Sequence, residues 1–362
     1  VDINELIFLN ALNGIPGVGV ATLRLLKSRM GNFEHAWRHN IAGLASGPFQ
    51  KPIRQIMNAR DTLNPEKEFK KLEQHGIWMM GEDDPLFPPQ LSEIPHPPLL
   101  LYGKGSYPDA ARTHIGIVGT RRPTAYGKEV ALTIATGLTH QGLIIVSGLA
   151  VGIDTVAHEA ALAARAPTIA VIGSGIDEPS LFPKQNILLS RRIAELGGTI
   201  ISEYAPGTPP MKEHFPLRNR IIGGLSRGIF VAEARERSGA LITARLALEQ
   251  NRDVFAAPGS IFSPTSAGTN SLIQQGAKLV ARTQDICEEW GIESADAARA
   301  TSDANLDDNA KIMVQLLEQE LTIDELKEKT HFDMPLLMSL VTLLELKGYI
   351  RSMGNNSFQK IT

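Results

Sequence analysis

Between Ile115 and Val280 one pattern recurs: a short apolar run, mostly β-branched, then a helical stretch, then another run. The runs are IGIVG (115–119), LIIVSG (143–148), TIAVIG (168–173), GTIIS (198–202), GIFVAEA (228–234), DVFAAPG (253–259) and AKLV (277–280). Segments such as YGKEVALTIATGLTHQG and GALITARLALEQN lie between them. Strands covered on both faces read as nearly continuous apolar runs. Strand and helix alternating this often predict an α/β fold with a doubly wound, mostly parallel sheet. Several runs end in small residues: Gly119-Thr120, Ser147-Gly148, Gly173-Ser174-Gly175 and Pro258-Gly259-Ser260. In open α/β sheets ligands bind along that carboxyl edge.

The flanks read differently. Residues 1–80 read as helices broken by turns, a helical domain of helix-hairpin-helix or SAM-like type. Within it LNGIPGVGVATLRLLKSRMG sets Gly14, Pro16, Gly17 and Gly19 between two helical patterns. One reading is DNA-backbone contact by free N–H groups at the second helix, with Arg24, Lys27 and Arg29 nearby. The other is a tight turn joining two packed helices. Residues 81–112, rich in proline, read as an extended connector, 113–285 as the sheet domain and 286–306 as a polar linker. Residues 307–362 offer three helices and a small hairpin around Gly354-Asn355-Asn356, the pattern of a winged helix. A base-reading helix presents Arg, Asn or Gln along one face, and MPLLMSLVTLLEL has none of them. The tail is therefore expected to meet a protein or to regulate; DNA contact by its wing, through Arg351 and Lys360, is the alternative.

Composition narrows the class. At 362 residues two or three domains are expected. No stretch approaches the ~20 apolar residues of a membrane span, and the first residues lack a basic leader pattern. One cysteine, Cys287, excludes a disulfide framework and any multi-cysteine metal site. A reducing cytoplasm is the expected location. The net charge of −3 speaks against nucleic acid, but its distribution does not. Residues 113–285 hold 17 Lys and Arg against 13 Asp and Glu, while 301–362 hold 6 against 10.

The motifs supply the chemistry. In IGIVGTRRPTAYG a strand delivers Gly119, Thr120 and Arg121 to the sheet edge, a turn suited to phosphate through N–H groups, hydroxyl and guanidinium. It is not G-x-G-x-x-G, and VIGSGIDEP lacks the third glycine, so no dinucleotide fingerprint is present and no cofactor is expected. SGLAVGIDTVAHEAAL places Asp154 to cap the next helix and His158 one turn in. Without a third ligand or a serine elbow, capping and packing are the expected roles. Ser238-Gly239 precedes another helix and offers an anion site or an ordinary cap.

The stretch KEHFPLRNRIIGGLS (212–226) follows the turn-rich YAPGTPP. A helix over 217–225 would bring Arg218 and Arg220 to the edge that holds Arg121, with Phe215 on the loop before it. A ring beside cations suits single-stranded nucleic acid, phosphates on the cations and a base on the ring. Equally, Phe215 would fill the core and Arg220 would pair with Glu203 or Glu233.

VGTRRPTAYG, SGLAVGIDTVAHEAAL, TIAVIGSGID…FP, ISEYAPG, FPLRNRIIGGLS, VAEARERSGALITARLALEQNRDVFAAPGS and SAGTNSLIQQGA, in order from 117 to 277, resemble the DNA-processing protein A (DprA/Smf) family. The resemblance implies an extended Rossmann-like domain that binds single-stranded DNA without sequence preference. It also implies shielding of incoming DNA in natural transformation, loading of RecA recombinase, a homodimer through the Rossmann-like domain, and no enzyme activity. By the same resemblance Arg121 is the phosphate contact, Lys184 and Lys212 are further cations, Phe215 is the stacking ring, and Arg218-Asn219-Arg220 shape the pocket. Val151 stands where many members have arginine, and Phe182 where tyrosine is usual. The rival is a Rossmann-like enzyme, a nucleoside-monophosphate phosphoribohydrolase; its PGGxGT loop is replaced here by EARERSGALITA.

Overall fold

The computed structural model describes residues 2–292, 307–317, 319–346, 349–354 and 356–360. They fall into two units, 1–290 and 291–362.

The first unit opens with five helices, α1 (Ile3–Asn13), α2 (Val20–Met30), α3 (Phe33–Arg38), α4 (Gln50–Ala59) and α5 (Pro65–Gln74). Then come β1 (Trp78–Gly81), α6 (Pro89–Ser92), β2 (Leu100–Gly105), β3 (His114–Val118), α7 (Ala125–His140), β4 (Ile144–Ser147), α8 (Ile153–Ala163) and β5 (Thr168–Ile172). The unit continues through α9 (Ile187–Glu195), β6 (Thr199–Ser202), α10 (His214–Leu225), β7 (Gly228–Val231), α11 (Gly239–Glu249) and β8 (Asp253–Ala256). It closes with α12 (Ala267–Gln274), β9 (Lys278–Leu279) and α13 (Thr283–Trp290).

The nine strands form one sheet in the order β1-β2-β6-β5-β4-β3-β7-β8-β9. From β6 to β9 all neighbours are parallel; β1 and β2 add to the β6 side antiparallel. The doubly wound, mostly parallel sheet expected from the sequence is present. Strand order reverses at β3, so the β3/β7 boundary is the topological switch point. Successive side chains explain why the runs lack polar residues. In β5, Ile169 and Val171 join one core while Ala170 and Ile172 join the other.

The second of those cores includes Phe8, Leu12, Leu23, Phe33 and Trp37 together with Leu100, Tyr102 and Ile200. The N-terminal helices are thus packed against the sheet itself. The segment expected as a connector supplies β2, whose Tyr102 is fully buried. The Tyr102 hydroxyl donates to Asn10 Oδ1 at 2.9 Å, and Asn13 Nδ2 donates to the Glu203 carbonyl at 3.2 Å. The prolines before Leu99 masked a strand signal only six residues long.

Helix α10 begins at His214, three residues earlier than the sequence pattern suggests. Pro216 fits that first turn because no intrahelical N–H bond is needed there. Phe215 therefore belongs to the helix and not to the preceding loop. Ile221, Ile222 and Leu225 seat α10 in the core with Val118, Val146 and Val171.

The second unit has helices Asp308–Leu316, Ile323–Thr330 and Met334–Leu346 and a three-stranded sheet. Strands Leu321–Thr322, Ser357–Lys360 and Ile350–Gly354 pair in that order, all antiparallel. Thr322 and Glu325 form a capping box at the second helix. Met313, Leu326, Leu337, Val341, Ile350 and Phe358 are in its core. The expected hairpin turn at Asn355 and most of the expected linker lie outside the described residues.

Candidate nucleic-acid interface

The carboxyl ends of β3, β4, β5 and β6 meet the first turns of α10, and most predicted site residues lie there. Gly119 leaves β3 under close packing: a Cβ there would lie 2.5 Å from Ile153 Cγ1. Gly152 interlocks from α8's side, with φ +91 and a would-be Cβ 2.5 Å from the Thr120 carbonyl. Thr120 N donates to the Glu233 carbonyl at 2.8 Å and Ile153 N to the Thr120 carbonyl at 3.2 Å. The backbone carrying Arg121 is thereby fixed, while its side chain stays exposed with the guanidinium 5.7 Å from the Phe215 ring centroid. That is cation–π range.

Phe215 is half-buried. Its Cδ1 stands 3.2 Å from where a Cβ at Gly173 would be, so the glycine ending β5 makes room for the ring. Phe182, 40% exposed, faces it at a tilt with centroids 5.8 Å apart. Beneath α10's start, Tyr204 stacks on His214 at 4.0 Å, a support not evident in the sequence.

The two arginines of the Arg-Asn-Arg motif do different work from that expected of surface cations. Arg218 is buried, and its Nη1 donates to the Val171 carbonyl. Gly148 lets the guanidinium approach the backbone, since a Cβ there would lie 2.2 Å from Arg218 Nη1. Burial lowers the Arg218 pKa to about 10, opposed by the Asp154 charge. It remains a cation at neutral pH, beneath the exposed Arg121. Arg220 is a strut: its Nη2 donates to both oxygens of Glu203 at 2.6 and 2.8 Å. The pairing with Glu203 is the alternative that the sequence left open. Burial raises the Glu203 pKa, with Arg220 opposing. Asn219, half-buried between them, makes no side-chain hydrogen bond among the described residues.

The remaining predicted residues divide. Lys212 is exposed and without an ion-pair partner among the described residues. Lys184 Nζ donates to the carbonyls of Glu178 and Pro179 at 3.1 and 2.7 Å, so it closes its own loop while staying exposed. Ser147 is fully buried and donates to the Ile117 carbonyl at 2.6 Å; its hydroxyl cannot meet a ligand. Ser238 caps α11 by accepting from Ala240 N at 3.3 Å, and Gly239 beside it is exposed. Arg235 and Arg237, exposed on the preceding loop, were not singled out in the sequence although EARERSG displays them.

Asp154 does not cap α8, whose N-cap is Gly152. Its carboxylate turns back to accept from Gly148 N and Ala150 N at 3.1 and 3.3 Å. His158 Nδ1 pairs with Thr168 Oγ1 at 2.8 Å, and burial pushes the imidazole pKa down to about 3. A histidine so sealed is poorly placed for acid–base work. At the switch point Glu233 accepts from Thr124 N and Thr124 Oγ1 at 2.9 and 2.8 Å. A Cβ at Gly127 would lie 2.3 Å from its carboxylate, so the chain's own anion occupies the start of α7. In the N-terminal hairpin, Arg24 pairs with Glu82 and Lys27 with Glu82 and Asp83. These two cations are engaged within the chain, whereas Arg29 is exposed and without an ion-pair partner among the described residues, so both readings of the hairpin stay open.

Comparison with known proteins agrees with this architecture. Residues 78–291 match the family model of DNA recombination-mediator protein A. Protein Smf of Synechocystis sp. is 39% identical over 292 residues, covering 78% of this chain and 71% of the relative. DNA processing protein DprA of Bacillus subtilis is 47% identical over 217 residues, 60% of this chain and 72% of the relative. The X-ray structure of DNA processing protein A from Streptococcus pneumoniae matches with TM-score 0.66 at 37% identity, covering 79% of this chain and 97% of that one. A structure giving insight into the unique single-stranded DNA binding mode of the Helicobacter pylori protein matches with TM-score 0.52 at 31% identity, covering 59% and 95%. The family match begins in β1 and runs past the end of α13, so it takes in the whole sheet and the edge that carries Arg121, Phe215 and Arg218. The chain belongs to the DNA recombination-mediator protein A, or DprA/Smf, family.

Proposed function

We propose that this chain binds single-stranded DNA, without reading its sequence, on the carboxyl edge of the sheet. The observation that carries the reading is the exposed Arg121 guanidinium poised 5.7 Å over the half-buried Phe215 ring. Phosphates meet Arg121, Lys212 and Lys184, and a base stacks on Phe215. Arg218 adds positive potential from below and holds the Gly148 turn, while Arg220 fixes α10. The Helicobacter pylori relative, with its single-stranded DNA binding mode, supports the same class of ligand. In this reading the protein shields incoming DNA during natural transformation in the cytoplasm, loads RecA recombinase on it, and acts as a homodimer without catalysis. The second unit serves a protein contact, since its helix Met334–Leu346 leaves Met338 and Leu343 exposed.

Fluorescence anisotropy with labelled dT oligonucleotide and matched duplex tests this. Stacking is worth ~1–3 kcal/mol per base, so Phe215→Ala is expected to weaken single-strand binding roughly 5- to 150-fold. The duplex is expected to bind more weakly than the single strand. Equal binding by wild type and Phe215→Ala would sink the pocket. Release of base from AMP by the wild type would favour the hydrolase instead.

A further inference from the structure

The other end of the same edge carries an unexplained pair of apolar side chains. Past β8 the chain turns at Ser260, and Ile261 and Phe262 are 83% and 89% exposed. The turn is built, not loose. Ser263 N donates to the Ser260 carbonyl at 3.0 Å and Phe262 N to Ser260 Oγ at 3.2 Å. Its base is clamped by Asn270, whose amide exchanges bonds of 3.1 and 3.0 Å with the Gly259 backbone. The Tyr126 hydroxyl adds a bond to the Pro258 carbonyl. The turn is thus held from several sides while it carries the Phe262 ring into water.

Two cations stand on the neighbouring loop. After β7 that loop exposes Arg235 and Arg237 on either side of Glu236, none of the three ion-paired among the described residues. That loop touches the segment following the Phe262 turn, since Gly268 N donates to the Ala234 carbonyl at 2.8 Å. Along the edge the order is Phe215 over the end of β5, Arg121 at β3, Arg235 and Arg237 at β7, and Phe262 at β8. Strands lie ~4.8 Å apart, so the four steps from β5 to β8 put the two rings on the order of 20 Å apart. Aromatic platforms separated by cations are how a groove follows a single strand: the rings take bases and the cations take the backbone.

We propose that Phe262 is a second base-stacking platform, and that the DNA strand runs from Phe215 across Arg121, Arg235 and Arg237 to reach it. This rests on the single-strand reading of the Phe215 pocket. The alternative occupant of an exposed apolar turn is another protein.

The test compares dT oligonucleotides of about 4 and about 16 nucleotides, the range of single-strand site sizes. Phe262→Ser is expected to weaken the long oligonucleotide at least about 5-fold and to leave the short one unchanged. Phe262→Trp is expected to be quenched by the long oligonucleotide only. Because the side chain is exposed, neither variant threatens folding. Unchanged affinity for the long oligonucleotide in Phe262→Ser, without quenching in Phe262→Trp, overturns the proposal and leaves the turn to a protein partner. Failure of the first pocket has a separate signature: the short oligonucleotide then binds Phe215→Ala as well as wild type.

Discussion

The Arg220–Glu203 pair offers the sharpest test of the distinction between contact and support. Both side chains are nearly buried, at 11% and 10% exposure. The Arg220 carbonyl also accepts from Gln250 Nε2 at 3.1 Å, tying α10 to the end of α11. Removing one partner of a buried pair leaves a desolvated charge behind and typically costs about 3–5 kcal/mol. Arg220→Met is therefore expected to lose about that much, against a whole-domain stability of about 5–15 kcal/mol. At a urea dependence of roughly 2–3 kcal/mol per molar, the midpoint falls by roughly 1–2.5 M. The three tryptophans, Trp37, Trp78 and Trp290, all lie in the first unit, so their fluorescence follows that unit alone.

Two controls separate the causes. Glu203→Gln with Arg220→Met removes both charges and is expected to regain most of the loss, because the unpaired carboxylate was its source. In the single variant, burial favours protonated Glu203, so the folded state binds more protons than the unfolded. Its deficit is then expected to shrink as pH falls. The double variant is expected to bind dT oligonucleotide within about threefold of wild type. If instead Arg220→Met loses as much DNA affinity as Arg121→Ala while its urea midpoint stays put, Arg220 touches DNA and the strut assignment is wrong.

Two further expectations come from charge. His158 has a folded pKa of about 3 against an ordinary 6.5, so the unfolded chain takes up a proton that the folded one refuses. Stability is fully present above pH 6.5 and is lost as pH falls from there towards 3. Replacing it by Gln is expected to flatten the pH profile by roughly 2 kcal/mol between pH 6.5 and 5, read from urea midpoints; an unchanged profile would place the acid sensitivity elsewhere. For a short oligonucleotide confined to the Phe215 pocket, about three phosphate contacts predict a slope of log K against log salt near −2, and Arg121→Ala is expected to reduce its size by about 0.7. A flat salt response of the wild type would remove phosphate from the account.

The sheet was legible because its strands are buried on both faces, and that burden leaves an unmistakable run of apolar residues. Where the demand was lighter, the signal failed. Strand β2 lies in the antiparallel margin of the sheet between β1 and β6, follows a proline-rich stretch, and gives itself away only through Tyr102, whose buried hydroxyl needs Asn10. At the site, residue type told chemistry but not depth. Arg121, Arg218 and Arg220 are the same letter, yet one lies in solvent over a ring, one is buried under Gly148, and one is locked to Glu203. What separates them is which strand end each meets, a long-range fact fixed by the β6-to-β7 crossover of α10. Glu233 carries the same lesson in reverse. In the sequence it is one acidic residue in EARERSG; in the fold it lies at the switch point, where its carboxylate fills the start of α7. That carboxylate takes the place at the head of α7 where a helix N-terminus would otherwise be open to a phosphate.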